Sequence, residues 1–151
     1  MRNLSRLLVF ASLSVIPCAA KTEDAPLLSA GRYEVISRLE LPYAESSGFT
    51  KESSICISTG SGGPYGLTVL SENNPLAKCP ASNQRQDGAQ LSFDIICPGG
   101  NAATASAKYQ LGPQSFEGRI EMKMGGKNMT MMEAQRGHRV GSCSAATNSG
   151  S

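Results

Sequence analysis

The chain has 151 residues, 40% of them hydrophobic and 17% charged, with a formal net charge of +2. That length suits one small domain with a real core and leaves no room for two. Sixteen Gly and eight Pro argue for many turns, without a collagen period. Lys and Arg are interspersed with Glu, which argues against a nucleic-acid or anionic-membrane binder built on a basic stripe.

Arg2 and Arg6 precede an apolar run from Leu7 to Ile16, followed by Pro17, Cys18, Ala19 and Ala20. The run is too short for the roughly twenty residues of a transmembrane helix. A basic start, a short apolar centre and small residues before a polar stretch describe a secretory signal peptide over residues 1–20. Without those residues the chain carries twelve basic and twelve acidic residues, a formal net charge of zero. No other apolar run is long enough to span a bilayer. The expectation is an exported protein, in the periplasm ahead of full secretion to the medium.

Residues 21–30 read as a flexible polar lead-in, and 31–143 as a single β domain ahead of a disordered tail over 144–151. Tyr33, Val35, Ser37, Leu39 and Leu41 alternate with Glu34, Ile36, Arg38 and Glu40, the period of a strand with two exceptions. Residues 44–50 read as a loop, and a short strand around Ser53–Ser58 carries Cys56. Thr59-Gly60-Ser61-Gly62-Gly63-Pro64 breaks the pattern; no Gly-Lys-Ser/Thr follows, so it reads as a loop and not as a phosphate cradle. Gly66–Asn73 is ambiguous between a helical turn and a strand, and Pro75–Asp87 reads as irregular.

The last third alternates more strictly. Leu91, Phe93 and Ile95 form one strand, ending at Cys97, and Ala103 to Leu111 another. Phe116, Gly118, Ile120, Met122 and Met124 mark a third, and Met129 towards Arg136 a fourth, all separated by Gly-rich turns. Regular short strands predict an antiparallel meander of roughly six to eight strands. Its shape would be a curved sheet or small open barrel, mainly β, with one face buried.

Cys56, Cys79, Cys97 and Cys143 remain after the leader, an even number that reads as two disulfides in an exported chain. The short paired spacings of a zinc site are missing. Three pairings are possible. Cys79–Cys97 is favoured because the two cysteines bracket a predicted strand, which leaves Cys56–Cys143.

Met122, Met124, Met129, Met131 and Met132 fall close together. A two-residue turn at Gly126-Lys127 would set Met124 opposite Met129 and Met122 opposite Met131, four sulfurs on one face. One extra loop residue would flip that parity and turn Met132 and Ala134 inward. Thioethers select Cu(I), so this hairpin is a possible ligand or metal site beside the reading as core packing. His138 is the one histidine. Arg136-Gly137-His138-Arg139 reads as a turn, no strained nucleophile motif occurs, and acids look singly spread and exposed. No catalytic residue is assigned.

Gly31-Arg32-Tyr33-Glu34, Cys56-Ile57-Ser58, Cys79, Leu91–Cys97 and Arg139-Val140-Gly141-Ser142-Cys143 occur in an order and spacing that resemble one bacterial exported family, domain of unknown function 3617. The likeness covers about residues 31–143, with Tyr33 where that family often has Trp. It implies an exported, disulfide-bonded, mainly β protein and carries over no catalytic residue. The expected role is non-catalytic binding of a protein partner or an apolar small molecule, without a cofactor. Cu(I) binding through the Met hairpin is the alternative.

Overall fold

The computed structural model describes residues 27–42, 48–59, 64–100, 102–126 and 129–143. The signal-peptide segment, the lead-in up to residue 26 and the tail over 144–151 lie outside the described residues. Among the described residues seven strands follow one another: β1 Gly31–Glu40, β2 Phe49–Ile57, β3 Ala81–Asp87, β4 Gln90–Ile96, β5 Thr104–Leu111, β6 Ser115–Met124 and β7 Met129–Gly141. All pair antiparallel in one open sheet, in the order β2-β1-β7-β6-β5-β4-β3. The expected meander runs from β3 to β7, and the β1–β2 hairpin adds itself beside β7.

That order has a consequence for the connection between β2 and β3. The two strands form opposite edges of the sheet, about 29 Å apart at ordinary strand spacing. The segment joining them must cross one whole face. It does so on the face that the apolar alternation marks, burying Leu67, Val69 and Leu76 in the same core as Val35, Phe93, Ile95, Ile120 and Met122. Residues 64–80 thus form a strap over the inner face. The small Ala103, Ala105 and Ala107, all buried, belong to this core.

Four aromatic rings form a ladder across the inner face. Phe93 stacks on Tyr109 at 5.8 Å, Tyr109 meets Phe116 edge-on at 5.8 Å, and Phe116 lies 5.9 Å from Tyr33. Two glycines make room for it. Gly118 pairs with Tyr109 and Gly137 with Phe116, and a Cβ at either position would run into the facing ring. Gly137 is therefore a strand residue under an aromatic ring and not part of a turn. This corrects the reading of 136–139: β7 runs on through His138 to Gly141.

Other boundaries also differ from the expectation. β2 begins at Phe49, inside the stretch expected to be a loop. β3 occupies Ala81–Asp87, expected to be irregular; its residues are almost all polar and exposed because it is an edge strand. Its pairing to β4 shifts between Ser82 and Arg85, where Asn83 has φ 52°. Gly66–Asn73 is neither helix nor strand but extended strap, followed by a single 3-10 turn at Pro75–Lys78. The described end of the lead-in is docked: Leu28 is fully buried, Ser29 N–H donates to Pro113 O, and Tyr33 Oη donates to Ser29 O.

Both disulfides pair as expected. Cys56–Cys143 ties the chain end to edge strand β2, with Cα atoms 5.7 Å apart. Cys79–Cys97 ties the end of the strap to the end of β4, with Cα atoms 5.0 Å apart. Cys79–Cys97 closes the shorter loop, with a sequence separation of 18, and such a crosslink is worth about 3 kcal/mol.

Candidate functional site

The strap is held down by a buried polar cluster that the expectation of singly exposed acids missed. Alternation along β7 sends Glu133 and Gln135 to the inner face, and they are 0% and 2% exposed. Glu133 receives the backbone N–H groups of Leu70 at 2.8 Å and Ser71 at 3.0 Å, one on each carboxylate oxygen. Gln135 Nε2 donates to Glu133 Oε1 at 2.6 Å and to Thr68 O at 2.8 Å, while its Oε1 accepts from Tyr109 Oη at 2.8 Å. Every polar atom of the pair is engaged, which a buried polar group requires. Burial, with the Glu133 charge second, pushes the Tyr109 phenol far above its ordinary value. The signal lay in the register: if Met129 and Met131 face inward, Glu133 and Gln135 must follow.

The Met hairpin takes the two-residue-turn register. Met124 pairs with Met129 and Met122 with Met131, so these four share the inner side, and Met132 faces outward. Their environments differ. Met122 is 1% exposed and its sulfur accepts from Asn74 Nδ2 at 3.1 Å. Met124 and Met131 are half-buried against the core, and Met129 is exposed at the hairpin end. Asn74 also accepts from Leu76 N–H and caps the 3-10 turn, so the Met122 sulfur is one of the strap's anchor points.

Among the described residues two grooves stand out. The smaller, about 450 Å³, lies where the strap meets β1 and β2, with Leu39 and the 72% exposed Phe49 beside Ser37, Lys51 and Glu72. Lys51 Nζ holds Glu72 at 2.7 Å and draws its carboxyl below the usual value, first by hydrogen bonding and then by charge. The larger, about 760 Å³, lies on the outer face across β3 to β7. Arg85, Lys108, Arg119 and Arg136 reach into it, with Ser92, Ser106 and Ala134 as its low floor. Arg136 Nε pairs with Glu117 at 3.0 Å. His138 stands on the same face, its Nε2 3.6 Å from Glu34. Among the described residues no group of three or more His, Cys, Asp or Glu side chains could hold a metal ion.

The inner face of the sheet is thus covered by the chain's own Leu67, Val69 and Leu76. The molecule is a disulfide-bonded, single-sheet β scaffold, covered on one face by a strap and presenting on the other a mostly polar surface with Ile36 and Ile96 exposed. It belongs to the family described as "Protein of unknown function (DUF3617)", whose model matches residues 28–143. No curated protein and no solved structure matches the chain. The fold and the family are those expected, and no helix among the described residues is long and apolar enough to cross a membrane.

Proposed function

We propose that this is an exported, non-catalytic binding protein whose binding surface is the outer face of the sheet. The carrying observation is the asymmetry of the two faces: the strap covers the inner one except for the 450 Å³ groove beside β1 and β2, and the larger 760 Å³ groove lies on the outer one. Both disulfides suit an oxidising compartment, and the leader-like segment over residues 1–20 favours the periplasm. In this reading the Met hairpin is core packing and strap anchorage, because the Met122 sulfur is already engaged by Asn74. The Cu(I) alternative gains no support from that contact.

Lysine acylation of the protein inside intact bacterial cells, compared with the purified protein, tests the surface without knowing the ligand. Lys108, which reaches into the groove, should label more slowly in cells, while Lys78 on the strap labels equally in both. Equal labelling at Lys108 overturns the reading. The mass of the labelled chain reports the export step: it should begin at Lys21 and lack four hydrogens.

A further inference from the structure

We infer that the ligand of this face is an acidic, carboxylate-bearing polysaccharide laid across the strands, which rests on the outer-face reading above. The antiparallel registers align one residue from each of six strands into a continuous row. Arg38 on β1 faces Ala134 on β7, which faces Arg119 on β6, then Lys108 on β5, Ser92 on β4 and Arg85 on β3. Four of the six are cations, and the row spans about 24 Å at ordinary strand spacing. The two other positions hold the short Ala134 and Ser92, so long cationic side chains border low ground.

The row is poor design for stability alone. Lys108 and Arg119 stand directly opposite each other, an arrangement of like charges that weakens a sheet. Neither has a carboxylate within 4.0 Å among the described residues; Arg119 Nη1 instead lies 3.3 Å from Met132 Sδ. The adjacent acids are partly committed elsewhere, Glu117 to Arg136 at 3.0 Å and Asp94 to Asn83 at 2.9 Å. Glu121 and Asp87 remain in the groove beside the row, so the lining holds three acids against Arg85, Lys108, Arg119 and Arg136. A carboxylate-bearing chain neutralises the opposed cations through charge-assisted hydrogen bonds. Ser92, Ser106 and the cross-strand pair Gln90–Gln110 line the same groove and supply donors and acceptors for sugar hydroxyls. That polar lining favours a glycan over a chain of bare charge.

The test is titration of the purified mature protein with an oligogalacturonate long enough to cover the row, with a neutral galactan and with polyphosphate. The uronate should bind, weaken as salt rises, and outcompete both others. Lys108→Gln and Arg119→Gln should each lower affinity about fivefold or more, and Glu121→Gln should raise it about twofold. The thermal midpoint of Lys108→Gln should equal or exceed that of wild type, because one opposed charge is gone. No uronate binding, equal polyphosphate binding, or indifference to these variants overturns the inference. Protection of Lys108 in cells without uronate binding would leave the outer-face reading standing and reject this ligand class alone.

Discussion

Along β7 the side chains alternate between two faces that meet opposite demands. Glu133, Gln135 and Gly137 point to the strap; Ala134, Arg136 and His138 point to solvent. On the inner side every polar atom of Glu133 and Gln135 is paired, and two of the four rings, Tyr109 and Phe116, each lie over a glycine. On the outer side Arg136 meets Glu117 at 3.0 Å and His138 lies 3.6 Å from Glu34, while Lys108 and Arg119 oppose each other with no acid within 4.0 Å among the described residues. The inner face is therefore where the fold is decided, and the outer face is where residues are free to serve a ligand. Inner-face changes should cost far more than outer-face ones.

The largest effect is expected at Glu133. Glu133→Ala strips the acceptors from Leu70 and Ser71 N–H and from Gln135 Nε2. Orphaned buried donors cost about 1–3 kcal/mol each, and breaking such a network from one side about 3–5 kcal/mol in all. Denaturant unfolding should show that loss, and hydrogen exchange should show residues 67–73 opening first. A loss below about 1 kcal/mol would mean the strap is held by its apolar residues and disulfide alone.

The contrast sharpens with pH. Burial holds the Tyr109 proton in the native state, whereas an unfolded tyrosine releases it near pH 10. A raised native value gives stability that is complete below about pH 10 and lost as pH rises beyond it, by about 1 kcal/mol at pH 11. Tyr33 is also raised, by its burial and against the opposing Arg139 charge. Tyr109→Phe should therefore remove part of the alkaline loss and not all of it. An unchanged alkaline slope in that variant would show that Tyr109 is reached by solvent.

Much of the inner face was legible in the residue pattern. Alternation located β1 and β4 to β7, and the cysteines flanking what proves to be the β3–β4 hairpin indicated the pairing found. The Met positions carried two registers, one of which the sheet adopts. Other features had no local signal. β3 is read as irregular because Ser82 to Asp87 offer no apolar alternation, and an edge strand needs none. Gly137 looked like a turn because the ring that requires it, Phe116, lies on another strand. The buried role of Glu133 follows from the register of β7 together with a strap whose path depends on the order of all seven strands. The cationic row is less local still: Arg38, Lys108, Arg119 and Arg85 are scattered in sequence and become neighbours only through five successive strand pairings.

The smallest effect is expected where the outer face does form an ion pair. Arg136 and Glu117 are cross-strand partners at 3.0 Å, with side chains 77% and 65% exposed. Solvent screens such a pair, and holding two long side chains in one geometry offsets much of the Coulomb gain. A double-mutant cycle with Arg136→Gln and Glu117→Gln should give a coupling of about 0.5 kcal/mol or less, vanishing in high salt. A coupling above about 1 kcal/mol that persists in salt would mean the outer face contributes to the fold as the inner one does. With a small coupling, stability places little constraint on Arg136 and Glu117. The charges around the groove are then free to be set by what the groove holds.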